Sequence, residues 1–303
     1  MSIFSFILPV LGLSLFEIIS SIDNAIINAE VLTGMRREAR RWFLFWGLLI
    51  GVFAVRGLLP LLIVWLVNPT LTPLGVLTAT FSGDPEIAHS IENSAPLLLL
   101  GGGTFLLFLF FHWLFLEQKN YGLPGERFIL RQGVWFYAVV SIMLAMIVWF
   151  AISINPFMAF SAVVGSTAFF ITHGFKQQAE MAETKLLSGK EKLSDISKIL
   201  YLEVIDATFS IDGVLGSFAF TLSIPLILLG NGLGALVLRQ LTISNIDRIK
   251  KYAYLKNGAM YSILFLGLIM VLDSFGAHIP SWFSPVITFA IVTYFFLKSR
   301  KAI

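Results

Sequence analysis

The chain has 303 residues, of which 57% are apolar and only 13% charged, with a mean hydropathy of +0.86. A soluble domain carries about 25% charged residues, so the composition excludes a soluble globular protein, a disordered chain and a secreted disulfide scaffold. With no cysteine, disulfides, thiolate metal sites and thiol catalysis are excluded too, and the net charge of +3 reads as loop bias in a membrane protein, with no nucleic-acid partner implied.

In chain order, apolar runs predict nine transmembrane helices, at about 4–31, 42–67, 95–116, 135–154, 157–175, 199–222, 225–243, 257–275 and 283–298. The run 135–175 is too long for one span, and Asn155-Pro156 supplies a turn near its middle. The polar segment 176–198 reads as a short cytoplasmic helix or loop. The expected fold class is therefore all-α, a polytopic membrane protein with the lipid bilayer as its surroundings.

Lysine and arginine set the orientation. Twenty of the 21 basic residues fall in or beside the loops after the first, third, fifth and seventh spans and at the C-terminal end, whereas the alternate loops 68–94, 155–156, 223–224 and 276–282 have none. The basic side is cytoplasmic. This places the N-terminus outside, the C-terminus inside, and the protein in the cytoplasmic membrane. The first apolar segment does not read as a signal peptide, because it lacks a basic lead and contains Glu17 and Asp23. Trp42, Trp113, Trp135 and Trp282 sit near predicted span ends, as interfacial anchors.

The acidic residues inside the spans carry the functional signal. Glu17 and Asp23 lie in the first span, and Glu203, Asp206 and Asp212 in the sixth. An ionised carboxylate near the bilayer centre costs about 2.5–3.5 kcal/mol on the lenient insertion scale. Such residues face a cavity, pair with a cation or carry protons. The two clusters repeat: Glu17-Ile-Ile-Ser-Ser21-Ile-Asp23-Asn24 and Asp206-Ala-Thr-Phe-Ser210-Ile-Asp212-Gly213. The spans that hold them cross in opposite directions, so the repeat is inverted, with repeat 1 at about 1–116, repeat 2 at about 199–298 and an intervening hairpin and cytoplasmic segment at about 117–198. All belong to one transmembrane domain, 1–303. Inverted repeats place a transport site near the midplane.

At about 100° per residue, Glu17, Ser20, Ser21, Asn24 and Asn28 share a face, and Asp23 lies off it. In the sixth span Glu203, Asp206, Ser210, Gly213 and Ser217 share a face, and Asp212 lies off it. Either each helix is unwound near Ser-Ile-Asp, which Gly213 and Gly216 would ease, or each third-position Asp points to a neighbouring helix. The donors are hard oxygens suited to Mn²⁺, Mg²⁺ or Ca²⁺. The candidate cation ligands are Glu17, Ser21, Asp23, Asn24, Asp206, Ser210 and Asp212. Glu203 is a proton carrier or supporting group, and Arg56, the one basic residue deep in a span, is a counter-ion before the cation binds. His89, His112, His173 and His278 show no ligand spacing and read as core or loop histidines. Gly101-Gly102-Gly103 and Gly230-Asn231-Gly232-Leu233-Gly234 read as close helix packing.

These residues resemble the TerC family of tellurium-resistance membrane proteins. Glu17-x3-Ser21-x-Asp23-Asn24-Ala25 looks like its opening motif, and Arg36–Arg41, Gly47, Gly51 and Arg56 continue the likeness. Glu203-Val-Ile-Asp206-Ala-Thr-Phe-Ser-Ile-Asp212 is similar to its second acidic motif. Lys251-Tyr252 through Gly258, Gly267 and His278-Ile279-Pro280 resemble its C-terminal region. The likeness covers the chain except roughly 68–94 and 120–198. Nine spans exceed the seven or so usual there, and Gly213 stands where the family often has Ser, which marks a divergent branch of unknown-function type.

The resemblance implies divalent cation efflux, Mn²⁺ first and Ca²⁺ or Mg²⁺ as alternatives, with no resident cofactor. The competing expectations are a component of a tellurite-type membrane complex, a homo-oligomer among its forms, and an exporter of another small solute. An intramembrane aspartyl protease is disfavoured, since Gly230-Asn-Gly232 is followed by Leu233 where that chemistry needs Asp.

Overall fold

The computed structural model describes residues 3–47, 50–51, 56–67, 72, 75, 85–187, 194–249 and 251–302. A few side chains within these ranges, including those of Asp23, Glu30, 85–91 and 242–248, lie outside the described set. Among the described residues the regular structure is helical throughout. The helices are α1 (Ile3–Ser20), α2 (Ile22–Thr33), α3 (Arg37–Trp42), α4 (Arg56–Val67), α5 (Pro85–Leu116), α6 (Glu126–Leu130), α7 (Trp135–Ile152), α8 (Pro156–Leu187), α9 (Asp195–Ser217), α10 (Ile224–Ile249), α11 (Leu255–Ser274) and α12 (Phe283–Ala302), with one π-helical turn at Phe43–Gly47.

Local chemistry explains several boundaries. Ser194 caps α9 by accepting from the Ser197 N–H, and Asp195 adds an acidic group in the first turn. Asn155 Oδ1 accepts from Phe157 N at 2.9 Å, and Pro156 opens α8. The expected hairpin turn therefore separates α7 from α8. In contrast, α8 runs on to Leu187, so the first half of the predicted polar segment simply extends a helix. The first predicted span is divided at Ser21, which has φ −99° and ψ 5° and separates α1 from α2. The sixth is not divided: α9 is continuous through Ser210-Ile-Asp212-Gly213, so Gly213 and Gly216 do not unwind it.

Among the described residues, five helical stretches are long and apolar enough to cross a membrane: Glu92–Leu116, Trp135–Ile152, Pro156–Gln178, Ile224–Leu241 and Leu255–Ser274. Phe6–Ser20 and Arg56–Val67 are apolar but shorter. The sixth predicted span falls on α9, whose apolar character is diluted by Glu203, Asp206 and Asp212.

The stretch Glu92–Leu116 of α5 is the hub, 83% buried against 22% for α7, which faces outward. It packs on α8 and α11, and α11 in turn packs on α12. Glycines set these approaches. A Cβ on Gly165 of α8 would run into the Gly101 carbonyl of α5, and one on Gly103 would meet the Gly267 carbonyl oxygen of α11 at 3.0 Å. In a bilayer, helices associate through such close packing because lipid is as apolar as the side chains. At the end of α5, Glu126 is buried and accepts from Gly122 N at 2.7 Å, Leu123 N at 3.0 Å, Tyr261 Oη at 2.8 Å and Asn257 Nδ2 at 3.3 Å. It pins the loop after α5 to α11.

Gly165→Ala should therefore destabilise the protein by about 1–3 kcal/mol through overpacking. Gly174→Ala, on the same helix with nothing within 4 Å of its added Cβ, should be neutral or stabilise by about 0.4–1 kcal/mol. Unfolding of both variants in detergent checks the contrast.

A candidate cation site between α1, α2, α4 and α9

Two of the intramembrane carboxylates meet. Glu17 near the end of α1 is 1% exposed, and Arg56 at the start of α4 is 5% exposed. Arg56 Nη2 lies 2.9 Å from Glu17 Oε1, and Nη1 lies 3.3 Å from Asp206 Oδ2 on α9. One guanidinium thus bridges two carboxylates from the two predicted repeats. Ser21 Oγ donates to Glu17 Oε1 at 3.0 Å, and Asn24 Nδ2 donates to Asp206 Oδ1 at 2.6 Å. With Glu17 and Asp206 ionised, the triad carries a net charge of −1.

A cavity of about 650 Å³, including its mouth, opens onto this triad. Glu17, Ser21, Asn24, Asn28, Glu203 and Asp206 line it, and its wall continues to Leu32, Phe43, Leu238 and Arg239. Three of the lining oxygens, Asn24 Oδ1, Asn28 Oδ1 and Glu203 Oε1, are buried with no hydrogen-bond partner among the described residues. All three are acceptors. Leaving a buried acceptor unpaired costs about 1–3 kcal/mol, so the cavity is arranged for something that donates or is positively charged.

The backbone makes room for these groups. A Cβ on Gly51 would come within 2.5 Å of Asp206 Oδ2, and one on Gly47 would strike Glu203 Oε1. On the opposite wall, a Cβ on Gly234 of α10 would meet Glu17 Cβ at 2.7 Å. The two glycine clusters expected to serve close helix packing do so here and in the α5 seam.

The candidate residues divide into three groups. Glu17, Ser21, Asn24, Asp206, Glu203 and Arg56 come together. Asp212 does not join them: it pairs with Lys176 of α8 and is absent from the cavity lining. The reason is the unbroken helix, in which six residues from Asp206 turn the side chain to another face. Ser210 is spent on the helix itself, donating to the Asp206 carbonyl oxygen at 2.5 Å. Asp23 lies on α2, and its side chain lies outside the described residues.

Among the described residues no three His, Asp or Glu side chains converge on one point as a metal cage. The donor set present is two carboxylates plus neutral oxygens. Asn28 was not among the candidate ligands, although its i+4 spacing from Asn24 was the available signal. His112 of α5 and His173 of α8, expected to be unrelated, meet in tilted contact with ring centroids 3.9 Å apart. The side chain of His89 lies outside the described residues.

A family model described as a protein of unknown function, DUF475, matches residues 22–302. The chain belongs to that family. The match spans both acidic helices except the α1 segment that carries Glu17. No curated protein and no solved structure matches the chain.

Removing the bridge should leave two buried carboxylates uncompensated. Arg56→Met is expected to cost about 3–5 kcal/mol. Adding Glu17→Gln to it should restore about 1–3 kcal/mol through coupling. A double-mutant cycle on unfolding in detergent measures both terms.

Proposed function

We propose that this protein is a secondary transporter that exports a divalent cation, Mn²⁺ first, across the cytoplasmic membrane through the Glu17–Asp206 site. The observation that carries the reading is the cavity at the Arg56-bridged carboxylates, lined by unpartnered acceptor oxygens of Asn24, Asn28 and Glu203. Arg56 then acts as an internal surrogate for the cargo. A divalent cation entering beside Glu17 and Asp206 releases Arg56 from both and brings the pair of carboxylates to neutrality. Ser21, Asn24 and Asn28 supply neutral oxygens, and Asp23 is a further ligand candidate. Ser210 and Asp212 drop out of the ligand set. All the donors are hard oxygens, which suits Mn²⁺, Mg²⁺ or Ca²⁺.

The nine-span, inverted-repeat architecture belongs to the same proposal. It is supported by helices that fall on each of the nine predicted segments. It is supported also by reciprocal packing: α1 lies against α10 and α11, and α9 lies against α4 and α5. Those are the neighbours expected if α1, α4 and α5 correspond to α9, α10 and α11. The resemblance to the TerC family rests on the same acidic motifs and points to the same chemistry.

The access path in this proposal is supported by where the cavity leads. Its wall runs from Glu17 towards Leu32, Phe43, Leu238 and Arg239, beside the basic loops assigned to the cytoplasm. On the other side of Glu17, Phe16 packs on Phe220 with ring centroids 5.8 Å apart, and a Cβ on Gly12 would meet Phe220 and Pro285 at 2.9 Å. A cation reaches the site from the cytoplasm, and the Phe16–Phe220 contact must open for release.

Protein reconstituted in liposomes should carry Mn²⁺ down its gradient. Asp206→Asn and Glu17→Gln should each slow the flux by about tenfold or more, the worth of a lost charged ligand. No flux in the wild type, or undiminished wild-type flux in both variants, would overturn the carrier reading and leave the triad as a clamp between helices.

A further inference from the structure

The face of α9 turned away from the cavity holds a second line of ionisable groups. Asp212 pairs with Lys176 of α8. One helical turn back along α8 is His173, on the same face as Lys176. His173 packs against His112 of α5, with ring centroids 3.9 Å apart and planes inclined by 52°. His112 Nδ1 is 3.5 Å from Glu117 Oε1, at the end of α5, and Glu117 Oε2 is 3.0 Å from Lys256 Nζ at the start of α11. The chain of groups thus runs from the half-exposed Glu117, beside the basic loops, to a carboxylate buried among helices.

Two atoms in this line are buried without a hydrogen-bond partner among the described residues: His112 Nδ1 at one end and Asp212 Oδ1 at the other. The rings packed on the histidine pair are apolar. Phe136 and Phe169 pack on His112, and Phe169 is parallel to His173. A simple packing role would be served as well by aromatic rings without nitrogens. The charged groups facing the pair are Lys176 from its own helix, Asp212 from α9, Glu117 from the end of α5 and Lys256 from α11. Lys119 stands beside Glu117 but is held by the carbonyl oxygens of Trp113 and Leu114 at 2.6 Å each. The His112 contact and Lys256 hold the Glu117 carboxyl down to about 2, against the opposing effect of its burial. Glu117 is therefore an anion at any physiological pH, placed to attract a proton to the His112 end.

We propose that Glu117, His112, His173 and Lys176 form a proton relay that delivers protons from the cytoplasmic side to Asp212, on the back of the helix that carries Asp206. The steps balance as proton transfers alone. A proton from water binds His112 Nδ1 and makes an imidazolium, which gives up its other ring proton to His173. The Lys176 ammonium passes a proton to the Asp212 carboxylate, leaving a neutral amine and a neutral acid. The His173 imidazolium then reprotonates the amine. The net change is one proton moved to Asp212 and the loss of its ion pair with Lys176. Under the carrier reading, on which the physiological role rests, the relay runs in reverse during export: Asp212 takes the exchanging proton from the far side and passes it to the cytoplasm as the cation loads.

The direct test needs no cation. The full chain in nanodiscs is given an acid jump and followed by time-resolved infrared spectroscopy. A carboxylic-acid band should grow in the wild type and be missing in Asp212→Asn. In His173→Gln it should grow about a hundredfold more slowly, as expected for loss of a positioned proton carrier, and reach the same height. His173 is only half-buried, and an unchanged unfolding transition verifies that the variant folds. His112→Gln is the second variant and should slow the band likewise.

Wild-type rates in both histidine variants, or a band that ignores Asp212→Asn, would overturn the relay. Mn²⁺ flux in liposomes is the second readout. A pH gradient should accelerate wild-type flux but not His173→Gln flux, with flux down the Mn²⁺ gradient alone retained in the variant. A wild type that shows the Asp212 band but moves no Mn²⁺ would leave the relay standing and overturn the carrier reading only.

Discussion

The arrangement of this molecule depends on one buried guanidinium. Arg56 enters α4 between two helices that each bring a carboxylate into a region where charge is expensive. An unpaired Glu17 or Asp206 there would cost more than the neighbouring apolar contacts return. The register of α1, α4 and α9 is therefore fixed by charge rather than by shape. Shape follows: Gly51 admits Asp206, Gly47 admits Glu203, and Gly234 lets α10 close over Glu17. A methyl group at Gly51 or Gly234 would push a carboxylate away from the guanidinium, and one at Gly47 would displace Glu203 from the cavity. The pairing is also incomplete, since one positive charge answers two negative ones. That residual charge, beside unpartnered acceptor oxygens, distinguishes the triad from a helix clamp that has nothing left to bind.

A site of this kind needs a frame that does not yield to it. The frame is α5 with α8 and α11, which approach one another at glycine carbonyls. The rings of Phe105, Phe108, Phe169 and Trp113 fill the space around that seam. At its end Glu126 takes four hydrogen bonds and keeps the connecting loop in place. The carboxylates of the site show the opposite pattern, with bonds to one another's helices and acceptors left over.

Much of this was legible in the sequence, and the failures have physical causes. The carboxylates could be found because an acidic side chain in an apolar run is costly enough to need a reason. Their partnership could be found because the same spaced pattern occurs twice. Arg56 followed as the one cation within reach. Asp212 was misassigned because a shared motif is a statement about chemistry, whereas the face a residue occupies depends on whether the helix stays wound. In α2 the helix restarts at Ser21; in α9 it does not, and Asp212 turns to Lys176. The histidine pair was invisible because His112 and His173 sit on helices whose contact is set by Gly101 and Gly165. No spacing along the chain reports that contact. Glu126, in a short helix outside the spans, gave no signal because two of its four partners, Asn257 and Tyr261, come from a distant helix.

The position of Asp212 is what makes α9 more than a ligand-bearing helix. One rigid element carries Asp206 on the cavity face and Asp212 on another face, about 120° round the helix. Any displacement of α9 that alters the Arg56–Asp206 contact must also alter the Lys176–Asp212 contact. Under the proposed carrier reading, a cation that favours one position of α9 therefore changes the proton affinity of Asp212. By linkage, a proton on Asp212 changes the affinity for the cation by the same factor. No contiguous path between the two sites is required for this, only a helix stiff enough to move as a unit, which the unbroken hydrogen bonding through Ser210 and Gly213 provides. Had α9 been unwound at its Ser-Ile-Asp sequence, both carboxylates could have served one cation, and the protein would have lost the means to tie that cation to a proton.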